Sequence, residues 1–237
     1  MENNEELIKK LTNFQNQLAP SVWIPMDAEP IYKDAILGAI DVQYEGENGF
    51  AAIVIFDRKG KILHTFAKKY EATIPYIPSF FAFREGDIII KLVNEAEKEL
   101  DINIDILLID GHGIAHPRKF GLASYVGLVL EKMSVGVAKD TLVQYDGTLS
   151  KEKGSSLPIY LEEDIINQNE IVGYAYRSRE NVKPIFVSAG HKLSSVQALQ
   201  ITKELTGEYR QLDVLREADR LAREAAKQDE ELKESKL

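Results

Sequence analysis

Three short runs rich in β-branched and aromatic residues follow one another almost without interruption: ILGAIDVQY at 36–44, FAAIVIF at 50–56 and KILHTFAKK at 61–69. The segments between them, EGENG and DRKG, are too short for a helix and carry the residues that tight turns use. A parallel return would need a crossover of a dozen or more residues, so neighbours this close must pair antiparallel. The chain therefore opens its sheet with a three-stranded antiparallel meander, which restricts the fold to sheet-containing classes.

The pattern then changes. A helix is predicted from about Phe80 to Leu100, with Ser79 as a candidate cap. Next come a strand at 104–110, a helix at 119–131 and a short strand SVGVA. After the polar stretch DGTLSKEKGSS, strands are expected at 157–161, 170–177 and 184–188, and helices at 194–205 and 212–232. Leu7, Leu11, Phe14 and Leu18 recur at helical spacing and predict an amphipathic helix over 4–19. Alternation of strands and helices without repeats or linkers points to one α/β domain over residues 1–237, a mixed β-sheet flanked by helices. No apolar run is long enough for a membrane span, and MENNEELIKK does not read as a secretory signal. The 237 residues include no cysteine, which removes thiolate chemistry and fits a cytoplasmic setting. A net charge of −9 argues against nonspecific coating of nucleic acid and leaves local basic patches to matter.

Three acids stand out. Asp41 interrupts an apolar strand, Asp110 ends another, and Glu85 lies early in the 80–100 helix. Each has a plain alternative: a lysine-paired strand residue, a turn cap, and a carboxylate complementing a helix dipole. Together, two strands and a helix packed on their sheet could bring the three carboxylates to one point, at the strand-end edge where open α/β sheets bind ligands. Clustered carboxylates repel unless a cation neutralises them, and oxygen-only ligands favour Mg²⁺, with Mn²⁺ as substitute. Such a centre suits phosphoryl chemistry. His112 and His116 are four apart, but Gly111, Gly113 and Pro117 argue against a zinc-binding helix face. Near a phosphate they are better read as donors or proton carriers.

The segments GAIDVQY, PYIPSFFAFREG, DGHGIAHPRKFGLASYVGL and VGVAKD, with VSAGHKLS and EYR beyond them, resemble the endonuclease V family in order and spacing over about residues 35–222. The resemblance implies a ribonuclease H-like fold. It also implies a Mg²⁺-dependent endonuclease acting on inosine in DNA, or alternatively in RNA, that cuts the second phosphodiester bond 3′ to the lesion. A non-catalytic lesion-binding module is the remaining alternative. By position, the resemblance makes Asp41, Glu85 and Asp110 the metal-binding carboxylates, Lys139 the base beside the scissile phosphate, and His116 an active-site histidine. Tyr76 becomes the wedge that replaces lost stacking, Gly111 a backbone contact to the extruded base, and His112 part of the same substrate site. Arg118 and Lys119 would add local positive charge. Two departures stand out: Ser79 replaces a family glycine of the base pocket, and YRQLDVLREADRLA lacks the family's proline-bearing segment. If Arg216 matches that segment's arginine, Asp219 is the possible fourth acid, with Asp213 as competitor. The implied partner is inosine-containing nucleic acid, with the protein acting in DNA repair as a monomer away from membranes.

Overall fold

A computed structural model describes residues 2–26, 30–72, 80–145, 147–161 and 170–234. The meander forms as expected: β1 (Ile36–Glu45), β2 (Asn48–Asp57) and β3 (Ile62–Glu71) pair antiparallel in sequence order. After helix α2 (Phe81–Leu100), β4 (Ile106–Ile109) pairs parallel to β1. After α3 (Leu122–Leu130), β5 (Met133–Ala138) pairs parallel to β4. Strands β6 (Ser156–Ile159), β7 (Gly173–Tyr176) and β8 (Ile185–His191) add antiparallel neighbours. The result is one eight-stranded sheet, ordered β3-β2-β1-β4-β5-β8-β7-β6. Helices α1 (Glu2–Leu18), α4 (Ser195–Glu204) and α5 (Asp213–Glu234) complete a ribonuclease H-like arrangement.

Strand periodicity decides what each face buries. Leu37 and Ala39 of β1 point to one side, where Leu215 and Ala218 of α5 cover the strand, while α4 lies over β7 and β8. Ile40 and Val42 point to the other, in one apolar cluster with Ile88, Ile89 and Leu92 of α2, while α3 covers β4 and β5 on that side. The central strand β4, ILLI, is apolar throughout because helices cover both of its faces. Each of its side chains is essentially inaccessible and contributes about 1.5–3 kcal/mol by burial.

Several boundaries differ from expectation. Helix α3 starts at Leu122 rather than 119, because residues 116–119 close a turn: the Lys119 amide donates to the His116 carbonyl, and Lys119 has φ +49°. Strand β8 runs through SAGH to His191, since pairing with β5 overrides the weak strand preference of Ala and Gly. The expected strand 170–177 shrinks to Gly173–Tyr176. Helix α2 begins beside Phe80 without a side-chain cap, and Ser79 lies outside the described residues. Ser194, by contrast, caps α4 in a reciprocal box with Gln197. No helix among the described residues is long and apolar enough to cross a membrane.

Candidate active site at the strand ends

Parallel register places the acids. β1 and β4 pair as far as Ile40 opposite Ile109, and β4 meets β5 with Ile109 opposite Gly136. Asp41 and Asp110 are each the next residue after that last pair, so they stand side by side: Asp110 has left β4, while Asp41 is still in β1, opposite Ala52 of β2. β5 continues to Ala138, and Lys139 follows at once. The Lys139 ammonium lies 2.6 Å from Asp110 Oδ2. Glu85 faces the same point from the early turns of α2. Asp41 points toward α5, where the Gln43 amide donates to both Asp41 Oδ2 at 2.9 Å and Asp219 Oδ1 at 2.8 Å. Asp219 also accepts from Arg223 Nε at 2.9 Å. Asp213 sits in the first turn of α5 against Gly207, away from this bridge.

The charges press on one another. Burial, with repulsion from Asp110 and Asp219, pushes Asp41 up to about 6, although the Gln43 hydrogen bond and Lys139 pull the other way. Burial, then Asp41 and Asp110, hold Glu85 well above the usual carboxylate range. Burial opposes the charge on Lys139, but the hydrogen bond to Asp110, with Asp41 and Asp219 nearby, holds its pKa above the ordinary value. Among the described residues, no three acidic or imidazole groups close to metal-ligand geometry as they stand. The donor set is nevertheless oxygen-only around Asp41 and Asp110, and their mutual repulsion is of the kind a divalent cation relieves.

The loop after β4 folds over β5. A Cβ on Gly136 would stand 2.5 Å from the Gly113 amide nitrogen and 2.6 Å from the Gly111 carbonyl oxygen, so only glycine lets the loop cross there. The Gly113 amide donates to Ser188 Oγ at 2.8 Å, and the Ile114 amide to the Ala189 carbonyl. A cavity of ≈ 290 Å³ opens beside this crossing, lined by Glu85, Asp110, Gly111, His112, His116 and Lys139 among others. His116 Nδ1 accepts the Arg118 amide at 3.1 Å. Burial first, then Arg118 and His112, lower its pKa to about 3. It is therefore neutral near pH 7 and carries its proton on Nε2. Burial lowers His112 to about 4 against the opposing pull of Asp140, and its buried Nδ1 has no hydrogen-bond partner among the described residues.

A second cleft, ≈ 390 Å³, shares Asp110 and Lys139 with the first and is walled by Tyr209, Arg210, Arg216, Asp219 and Arg223. The Arg216 guanidinium lies 3.3 Å from the Tyr209 ring centroid. Arg210 donates to the backbone carbonyls of Lys139, Lys183 and Pro184, and Gln211 to that of Val137, tying the EYR segment to the end of β5.

The structure thus brings Asp41, Glu85, Asp110, His112, His116, Gly111 and Lys139 together, with Asp219 joined through Gln43. Tyr76 and Ser79 lie outside the described residues. Arg118 and Lys119 do not line either cleft: Arg118 turns inward to Gln15 and Phe80, and Lys119 pairs with Glu170. Sequence reasoning missed Gln43, although its spacing of two from Asp41 put it on the same strand face.

Comparison with known proteins fits this arrangement. The family model for Endonuclease V matches residues 23–220. Endonuclease V from Kosmotoga olearia is 37% identical over 190 residues, covering 80% of each chain. That from Dictyoglomus turgidum is 39% identical over 176 residues, covering 73% of this chain and 72% of the relative. The crystal structure of Streptomyces avermitilis Endonuclease V superposes with a TM-score of 0.80 at 31% identity, covering 93% of both chains. That of Ciona intestinalis Endonuclease V, in complex with a 24mer DNA containing an inosine followed by a ribo-adenosine, gives 0.82 at 27% identity, covering 94% of this chain and 99% of that one.

Proposed function

Because this chain belongs to the endonuclease V family, we propose that it is a Mg²⁺-dependent endonuclease that recognises deoxyinosine in DNA and cuts the second phosphodiester bond on the 3′ side, in DNA repair. The observation that carries the reading is the placement of Asp41, Asp110 and Lys139 side by side where the pairing of three neighbouring parallel strands ends, facing Glu85, between a cavity and an arginine-bearing cleft. Asp41, Asp110 and Glu85 would hold the cation, with Asp219 as fourth acid through the Gln43 bridge. A Mg²⁺ or Mn²⁺ ion held by these carboxylates would supply Lewis acidity to a phosphate oxygen and to a water. Lys139 stabilises negative charge building on the phosphate. His116, neutral at working pH, donates through Nε2 rather than acting as an acid. The cavity beside Gly111 and His112 takes the extruded base, and Tyr76 fills the gap left in the stack. Ser79 replaces a family glycine three positions before Ala82 of the cavity lining in sequence, so base selectivity is where this protein departs from its relatives.

The Ciona relative was crystallised on DNA with a ribo-adenosine after the inosine, so that protein accepts a ribose there. Cleavage of inosine-containing RNA is accordingly the second reading. Matched DNA and RNA oligomers, each with one inosine, incubated with Mg²⁺ and resolved at single-nucleotide length, decide between them. The expected product is a single nick after the nucleotide 3′ to inosine, faster in DNA. Equal cutting of adenine- or guanine-containing controls would reduce the protein to a general nuclease.

A further inference from the structure

We propose that Gln15 of α1 is a positioning residue for the active site, acting through Arg118 on His116 and on Phe80; the inference rests on the function proposed above. Helix α1 lies on Phe80, Phe83 and Phe120 through Leu11, with Leu7 and Leu18 at the margin. In this apolar contact Gln15 is fully buried. A buried amide is costly unless both its ends are bonded. Here both are: Nε2 donates to the Phe120 carbonyl at 3.1 Å, and Oε1 accepts from Arg118 Nε at 2.6 Å. The second bond is charge-assisted and therefore the stronger. Arg118 then makes two contacts toward the site. Its backbone amide donates to His116 Nδ1 at 3.1 Å, and its guanidinium lies 5.0 Å from the Phe80 ring centroid. The first contact fixes which nitrogen of His116 carries the proton, in a side chain that lines the cavity. The second seats the residue that follows 73–79, the stretch bearing Tyr76 and Ser79. A leucine at position 15 would serve packing equally well, so an amide here has its use in holding Arg118. Helix α1 also precedes residue 23, where the match to the family model begins, and so adds support that the matched stretch does not contain.

The test compares Gln15→Leu, Arg118→Met and the double variant in cleavage of an inosine-containing DNA oligomer with Mg²⁺, alongside ¹⁵N spectra of the imidazoles. Gln15→Leu is expected to lower kcat roughly tenfold or more with KM nearly unchanged, as when a catalytic group is slightly misplaced. In the Arg118→Met background it should add nothing, because the two act in series. The His116 spectrum should pass from a single Nε2–H tautomer to an average. Losses that multiply in the double variant, or a lower thermal midpoint with kcat and tautomer unchanged, would make Gln15 a packing residue and overturn the proposal. Should Gln15→Leu not fold, Gln15→Glu keeps the acceptor for Arg118, and it is expected to keep the His116 tautomer and recover most of kcat. A tautomer lost in that variant also overturns the proposal. If the wild-type protein leaves inosine uncut, the functional reading fails instead, and the imidazole spectra alone decide on Gln15.

Discussion

Asp41 shows the tension between stability and chemistry in a single side chain. Its carboxyl stays protonated in the folded protein up to about pH 6, whereas the ordinary value is 3.8. The unfolded chain releases that proton first as pH rises, so this residue's contribution to stability falls between about pH 4 and pH 6 and is flat above. Asp41→Asn should remove that slope. In chelator at pH 7 the variant should exceed wild type by on the order of 2 kcal/mol in urea unfolding, because an amide escapes the cost of a buried charge. It should also cut nothing. A variant less stable than wild type at pH 7, or one retaining near-normal turnover, would refute this account. Added Mg²⁺ should stabilise wild type more at pH 8 than at pH 5, since binding needs ionised carboxylates. Asp110→Asn should lose both that stabilisation and cleavage while its far-ultraviolet circular dichroism stays unchanged.

At the scale of elements, the site depends on how closely the loop after β4 lies over β5. Gly136→Ala puts a methyl group 2.5 Å from the Gly113 amide, against backbone that cannot rotate away. We expect a loss of about 1–3 kcal/mol or more from overpacking, read as a lower urea midpoint, with activity falling further as Asp110 and Lys139 separate. Unchanged stability would mean that the crossing yields more easily than its contacts imply. Much of this scale was legible beforehand. The meander, the long helix after PYIPSF and the apolar ILLI strand follow from periodicity and turn chemistry, and Asp110 falls at the end of a strand as read. The start of α3 and the length of β8 did not, because tertiary pairing rather than local preference sets them. Gln15 had a readable signal: it stands four residues after Leu11, a polar residue inside the apolar stripe of α1. Arg210 and Gln211 had none, since their partners are backbone carbonyls brought close only by the fold.

For the whole molecule, the distribution of charge matters more than its sum. The chain carries −9 overall, yet Lys139, Arg210, Arg216 and Arg223 line the cleft beside the carboxylates. An acidic body with a basic cleft disfavours indiscriminate coating of a polyanion and concentrates attraction where the phosphates must sit. Arg216 is the cleanest probe. It stacks on Tyr209 at the cleft wall, whereas Arg223 is paired with Asp219 and Arg210 is tied to strand-end carbonyls. If Arg216 meets a phosphate, Arg216→Ala should weaken binding of inosine-containing and ordinary oligomers alike. It should also reduce the slope of log Kd against log salt by about one, and leave cleavage at saturating substrate close to wild type. The measurement is fluorescence anisotropy across a salt series in Ca²⁺, which allows binding to be read without rapid turnover. A loss confined to inosine-containing oligomers would place Arg216 in base recognition instead. An unchanged salt slope would show that the strand leaves the site by another path than the Tyr209–Arg216 wall.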